Sequence, residues 1–140
     1  MTTHYLVDTS ALARLERDES LDEAWADHIA NGHVNICSVT ELEFLYSARS
    51  IIDRRRKLSR IRNAYPSVLM PDSVPRRAQE IQEELTMIGR HRSAGPIDLL
   101  VAATAELNGL TLLHYDRDFE TIAEATEQPT QWLVPPGSIA

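Results

Sequence analysis

The chain lacks most of the features that mark a secreted or membrane-bound protein. It has a single cysteine in 140 residues, Cys37, so an internal disulfide is excluded and a reducing compartment, the cytoplasm, is expected. No apolar run approaches the roughly 20 residues that a helix needs to cross a bilayer. The first residues carry no basic segment before the apolar run that ends at Asp8, so no signal peptide is expected. These absences predict a cytoplasmic protein without a membrane partner.

Motifs that mark several common activities are also missing. The chain has no GxGxxG, no P-loop Gly-Lys-Ser/Thr and no Gly-x-Ser-x-Gly, so nucleotide binding and serine-hydrolase chemistry have no support. The five histidines show no zinc-binding spacing, and Cys37 is typical of a small buried strand residue. Linkers, repeats and low-complexity tracts are absent as well. Residues 1–140 are therefore expected to form one domain.

Positive charge is scarce but concentrated. The chain has 14 Lys and Arg against 21 Asp and Glu, a net charge of −7. Half of the cations lie between Arg49 and Arg62, where only Asp53 opposes them. A basic strip on an acidic body is compatible with a phosphate-bearing ligand and equally with a solvated helix face.

Short apolar runs alternate with segments of helical periodicity. Strands are predicted over residues 5–7, 34–37, 68–70, 110–114 and 132–134. Helices are predicted over about 10–17, 21–29, 38–48, 51–64, 75–88, 96–107 and after Asp118. Ser10 or Thr9 is expected to cap the first helix, and Ser38 and Glu41 have the spacing of a capping box. This alternation predicts an α/β domain with a mostly parallel sheet.

Acidic residues fall where such a sheet forms its ligand crevice. Asp8 ends the first strand, and Asp116 follows the strand over 110–114. Asp98 is the third residue of the sixth helix, and Glu43 lies among apolar neighbours that predict its partial burial. Parallel strands end where the following helices begin. These four carboxylates are therefore expected to converge, with Asp118 as a fifth.

Each acid taken alone has an ordinary explanation. Asp8 could form an Asx turn, Asp98 gains from the helix dipole, and aspartates are common in loops such as the one after residue 114. The capping box accounts for Glu41 in the same way. Together, however, crowded carboxylates repel unless a proton or a cation neutralises them. An open set of oxygen ligands suits Mg²⁺ or Mn²⁺ better than zinc.

Four segments of the chain resemble, in order, the motifs of PIN-domain ribonucleases of the VapC toxin type. They are Tyr5–Leu12, Glu41–Ala48, Pro96–Ala103 and His114–Phe119, which together span nearly the whole chain. The family's glutamate is followed four residues later by a small residue, often glycine. Ser47 stands in that position after Glu43, so the resemblance favours Glu43 over Glu41.

The resemblance implies a three-layer α/β/α sandwich around the sheet and an Mg²⁺-dependent endoribonuclease, with Mn²⁺ as a substitute ion. It implies an RNA substrate, the role of toxin in a type II toxin–antitoxin system, a homodimer, and a cognate VapB-type antitoxin that inserts a C-terminal segment into the active-site groove. Carried over to this chain, it makes Asp8, Asp98 and Asp116 the metal ligands. It also makes Glu43 a ligand or water-orienting group and Asp118 an outer catalytic residue.

Cations must hold RNA beside so acidic a site. Arg90 and Arg92 lie shortly before the sixth helix, and residues 54–62 offer a longer strip that could instead face solvent or an antitoxin. Two other functions stay open on the sequence. One is a nuclease for RNA processing or for DNA on the same carboxylates, and the other is a non-catalytic module that binds a cation or a partner.

Overall fold

The computed structural model describes residues 2–139, which alternate between strands and helices. The strands are β1 (Tyr5–Val7), β2 (Val34–Asn35), β3 (Thr111–His114) and β4 (Thr130–Trp132). The helices are α1 (Thr9–Arg17), α2 (Glu19–Ala30), α3 (Ser38–Leu45), α4 (Ile51–Ala64), α5 (Val74–Met87), α6 (Pro96–Leu107) and α7 (Arg117–Thr126). Among the helices of residues 2–139, none combines the length and apolar composition needed to cross a membrane.

The strands form one sheet in the order β2-β1-β3-β4, and every pairing is parallel. Leu6 in β1 lies beside Asn35 in β2 and Leu112 in β3. β2 lies on one side of β1 and β3 lies on the other. The connection from β1 to β2 and the connection from β3 to β4 therefore leave the carboxyl ends of β1 and β3 in opposite directions. Ligands of open α/β sheets bind at such a divergence. The predicted parallel α/β sheet is confirmed.

Helices cover both faces of the sheet, because strand side chains alternate in direction. Leu6 and Leu112 belong to a core built with α5, α6 and α7. Val7 and Leu113 belong to a second core built with α1, α2, α3 and α4. The strands are therefore buried on both faces, and the three-layer sandwich is confirmed.

Two predicted helix caps are wrong. Asp8, not Ser10 or Thr9, caps α1: its backbone is extended and its carboxylate accepts from the N–H groups of Ser10 and Ala11. The capping box at Ser38 does not form, because Ser38 is already helical and its hydroxyl lies 3.6 Å from the Met70 sulfur. In both places the helix begins at a different residue from the one that spacing suggested.

Strand boundaries also differ from prediction. The strand expected over 68–70 is absent. The preceding residue, Ser67, forms an isolated parallel bridge with Ile36, and Val68 N–H donates to the Ile36 carbonyl (2.9 Å). Pro66 and Pro71 flank the stretch and cannot donate to a ladder. The second strand ends at Asn35, and the last strand begins at Thr130, two residues earlier than expected.

Candidate active site

Asp8 lies at the end of β1 and is almost completely buried. Its Oδ1 accepts from the Ser10 hydroxyl (2.7 Å) and Ala11 N–H (3.2 Å), and its Oδ2 accepts from Ser10 N–H (3.1 Å). Burial raises the pKa of Asp8 from 3.8 to about 7 against these hydrogen bonds, and the nearby Asp98 carboxylate adds to the rise. Asp8 is therefore a capping residue that also carries an energetically costly charge.

Asp98 occupies the first turn of α6, where its Oδ2 accepts from the Gly95 N–H (3.3 Å). Partial burial raises its pKa to about 6, and the carboxylates of Asp116, Glu43 and Asp118 raise it further. Repulsion of this kind requires proximity. Acidic groups from α3, α6 and the start of α7 are therefore near enough to repel one another's charge, and Asp98 acts in the same way on Asp8.

Asp116 and Asp118 surround the start of α7. Asp116 caps this helix, with its Oδ1 accepting from Asp118 N–H at 2.9 Å. Burial and the Asp116 charge both raise the pKa of Asp118. Three helices, α1, α6 and α7, thus begin beside these acids, and the positive ends of their dipoles favour negative charge there.

Glu43 is exposed, and the expectation of its partial burial is wrong. The buried face of α3 is formed by Glu41, Phe44 and Leu45, which follow the helical period and turn Glu43 outward. Glu41 instead accepts from Arg62 Nε on α4 (3.3 Å). The electrostatic coupling to Asp98 involves Glu43, so Glu43 is the α3 residue that faces the acidic group.

Ser10 joins the ends of the two central strands. Its hydroxyl donates to Asp8 Oδ1 (2.7 Å) and accepts from Tyr115 N–H, just after β3 (2.8 Å). Nothing in the sequence predicts the contact between Ser10 and the backbone after β3. Through Ser10, Asp8 is therefore connected to the loop that carries Asp116.

His114 was not anticipated as a site residue. It is fully buried at the end of β3, where its Nδ1 accepts from Asp116 N–H (3.1 Å) and its Nε2 lies 2.8 Å from Glu120 Oε1. Burial lowers the pKa of His114, while Glu120 opposes the shift. The only signal in the sequence is a polar residue closing an apolar strand, with a glutamate in the next helix.

The acidic group has no compensating basic side chain. Among residues 2–139, no lysine or arginine forms an ion pair with Asp8, Glu43, Asp98, Asp116 or Asp118. In the same range, no group of three or more His, Cys, Asp or Glu side chains is already arranged to hold a metal ion. Uncompensated carboxylates with raised pKa values fit a hard divalent cation, which would take the place of the protons.

An apolar rim borders Glu43. Val39, Leu42, Tyr46 and Ile97 line a cavity of about 360 Å³ together with Glu43. Leu42 is 67% exposed and Tyr46 is 92% exposed. A patch of exposed apolar side chains beside a charged site is typical of a surface that binds a partner.

The basic strip lies on α4 and is partly neutralised. Arg56 and Lys57 pair with Asp53, and Arg60 pairs with Glu16. Arg54, Arg55 and the more distant Arg92 are exposed, whereas Arg90 donates to the Thr121 hydroxyl on α7 (3.2 Å).

Comparison with known proteins gives the family of the chain and proteins of similar fold. The family model described as "PIN domain" matches residues 5–125. The chain is 44% identical to Ribonuclease VapC21 of Mycobacterium tuberculosis over 99% of both chains, and 39% identical to Ribonuclease VapC51 over 99% of both. Its fold resembles that of VapBC2 from Rickettsia felis bound to a promoter DNA fragment, with a TM-score of 0.78, 17% identity, and 93% and 98% of the two chains covered. It also resembles DNA-bound VapBC from Salmonella typhimurium, with a TM-score of 0.76, 18% identity, and 95% and 100% covered.

Proposed function

The chain belongs to the VapC group of the PIN-domain family, and from that premise we propose that it is a divalent-metal-dependent endoribonuclease, the toxin of a toxin–antitoxin pair. The observation that carries the proposal is the placement of Asp8, Asp98 and Asp116 at the amino ends of α1, α6 and α7, where carboxylates from α3 and α7 also act on Asp98. Distant parts of the chain supply charges that destabilise one another, which a fold tolerates chiefly where the charges have a task. The catalytic unit in this proposal is one domain spanning residues 1–140.

Asp8, Asp98 and Asp116 would hold the ion, Mg²⁺ or in its place Mn²⁺. When bound, such an ion supplies positive charge to a phosphate and makes water more acidic. The donor set supports this assignment because it is made of oxygen atoms and forms no ion pair with a lysine or arginine among residues 2–139.

The chain's own groups have the remaining tasks. The amino ends of α1, α6 and α7 offset the repulsion between the acids and an incoming phosphate. Glu43 orients the water that attacks the RNA backbone, since it is exposed at the edge of the site and coupled to Asp98. Asp118 is the outer catalytic residue and contributes negative charge that acts on Asp98.

A VapB-type antitoxin is the proposed partner, and the apolar rim supports it. A segment with apolar side chains and a basic residue would match the exposed Leu42 and Tyr46 and the neighbouring acids. Leu42→Ser is expected to weaken retention of a co-expressed antitoxin while RNA cleavage persists. We also propose that the protein is a cytoplasmic homodimer, which light scattering would detect as twice the monomer mass.

The direct test compares cleavage of RNA by the wild type and by Asp8→Asn, Asp98→Asn and Asp116→Asn. Asparagine keeps one oxygen acceptor for the helix cap but loses the charge, so we expect at least about a hundredfold loss of activity with intact folding. Asp72→Asn, at an exposed aspartate, is the matched control. Equal cleavage by all variants would remove the metal assignment.

A second pair of variants tests the choice between the two glutamates of α3. Glu43→Gln is expected to lower activity, whereas Glu41→Gln leaves the acidic group intact. DNA of the same sequence is included as a substrate, and its efficient cleavage would favour the alternative of a DNA nuclease. Binding of Mn²⁺ without cleavage of either polymer would favour a non-catalytic module.

A further inference from the structure

The turn between β3 and α7 carries Asp116, and side chains bind several of its backbone N–H groups. Tyr115 N–H donates to the Ser10 hydroxyl (2.8 Å), and Asp116 N–H donates to His114 Nδ1 (3.1 Å). Asp118 N–H donates to Asp116 Oδ1 (2.9 Å). The position of the turn therefore depends on individual side chains as well as on sheet and helix hydrogen bonds.

The hydrogen bonds of His114 define which ring nitrogen carries the proton. Nδ1 accepts from a backbone N–H, so it has no hydrogen of its own. The proton is then on Nε2, which donates to Glu120 Oε1 at 2.8 Å. The same Glu120 oxygen accepts from the Thr130 hydroxyl on β4 (2.9 Å). A protonated ring would direct an N–H group at the Asp116 N–H and break this arrangement.

Packing holds the ring in the same place. His114 is fully buried, and its ring centroid lies 4.8 Å from that of Trp132 and 5.4 Å from that of Phe119. Glu120, one turn into α7, approaches the ring edge, and Thr130 on the neighbouring strand donates to the same Glu120 oxygen. The imidazole is thus oriented by groups outside the acidic site, and its free nitrogen is directed at the backbone of a site residue.

We propose that His114 and Glu120 form a positioning pair, which holds the Asp116 backbone so that its carboxylate faces the other acids. The proposal rests on the proposed function in one respect, namely that Asp116 binds the divalent ion. Loss of the Nδ1 acceptor leaves the Asp116 N–H without its partner and allows the turn to move. Groups that orient metal ligands in this way typically change metal affinity about 10–100-fold when they are removed.

The test uses two pairs of variants in the full-length protein. Glu120→Leu and His114→Leu remove the polar contacts, while Glu120→Gln keeps an acceptor for Nε2–H and His114→Asn keeps an acceptor for the N–H two residues later. Glu124→Leu, at an exposed position one turn further along α7, is the control. Mn²⁺ affinity is measured by electron paramagnetic resonance with RNA absent, and kcat and KM are measured separately.

We expect the two leucine variants to bind Mn²⁺ about tenfold more weakly and to lose kcat with little change in KM. Glu120→Gln, His114→Asn and the control should stay within about twofold of the wild type. Folded leucine variants with wild-type Mn²⁺ affinity would overturn the proposal. So would a loss of the same size in the glutamine and asparagine variants, because the acceptor would then be irrelevant.

Nuclear magnetic resonance separates this proposal from the proposed function. The wild-type imidazole should show the Nε2-protonated form, and hydrogen exchange at the Asp116 amide should be slow in the wild type and fast in His114→Leu. If the wild type bound no Mn²⁺, the proposed function would fail, while slow exchange that depends on His114 would still support the positioning pair. An Nδ1-protonated ring in the wild type would overturn it without any variant.

Discussion

Replacing Asp8 by asparagine is expected to stabilise the protein when no divalent ion is present. Asp8 is 4% exposed, and burial raises its pKa from 3.8 to about 7. The folded state therefore binds a proton at Asp8 more tightly than the unfolded chain does. As pH rises above 3.8, the unfolded chain ionises first, so the folded protein loses relative stability until Asp8 has also ionised near pH 7.

The size of the effect follows from the shift. Each tenfold step in proton affinity is worth about 1.4 kcal/mol, so ionisation of Asp8 lowers the free energy of unfolding by about 4 kcal/mol at pH 8 and by about 2 kcal/mol at pH 5. Asparagine carries no charge, and its single amide oxygen can still accept from Ala11 N–H and the Ser10 hydroxyl, while the bond from Ser10 N–H to the second oxygen is lost at every pH. The gain in free energy of unfolding from Asp8→Asn should therefore be larger at pH 8 than at pH 5, by about 2–3 kcal/mol.

The assay is urea unfolding in EDTA from pH 5 to pH 8. Asp18 provides a matched control, because it caps α2 and accepts from the N–H and hydroxyl of Ser20 just as Asp8 does from Ser10. Asp18 is solvated, however, and its hydrogen bonds with Ser20 lower its pKa. Asp18→Asn should therefore give no gain at pH 8. Excess Mg²⁺ should stabilise the wild type and not Asp8→Asn.

The reasoning would be refuted if the stability of the wild type and of Asp8→Asn changed in parallel with pH. A lower free energy of unfolding for Asp8→Asn than for the wild type at pH 8 would also contradict the predicted cost of the buried charge. Other titrating groups are present in both proteins and largely cancel in the difference, so the comparison isolates the buried carboxylate.

Three further outcomes are expected. Mg²⁺ affinity measured by calorimetry should rise between pH 5 and pH 8, because the two carboxylates with raised pKa values release protons on binding. Arg77→Met should lower the free energy of unfolding in urea by about 1–2 kcal/mol, because Arg77 donates through two nitrogens to Glu106 and joins α5 to α6; Arg77→Lys should recover part of the loss. Reversing Arg54 and Arg55 to Glu should reduce the salt dependence of RNA binding. The slope of log affinity against log salt concentration should become shallower by about 0.7 for each lost phosphate contact. The same reversal at Arg76, which is exposed on α5, should leave the slope unchanged. An unchanged slope in the double variant would show that the basic strip on α4 faces solvent or binds the antitoxin.

The order of elements could be predicted from the sequence because it depends on local periodicity. Apolar runs predicted β1 and β3, and helical spacing predicted α4 and α6 with accurate bounds. The placement of Asp8, Asp98 and Asp116 at one sheet edge followed from a general property of parallel sheets. The prediction of a strand over 68–70 was wrong. The apolar residues there are typical of a strand, but prolines on either side limit strand pairing.

The local caps could not be predicted because several neighbouring residues can cap equally well. Asp8, Thr9 and Ser10 are all good capping residues, and burial at the end of β1 decided for Asp8. The same limit applies to α3, where packing turned Glu41 inward to Arg62 and Glu43 outward.

The sequence by itself determined which acids this protein has, their order, and the end of the sheet to which they belong, because these depend on short-range pattern. Only the tertiary structure decided how strongly Asp8 and Asp98 hold protons, and that His114 is bound between Glu120 and the backbone of Asp116. Desolvation and hydrogen bonds between elements depend on distances across the fold. No spacing along the chain encodes them.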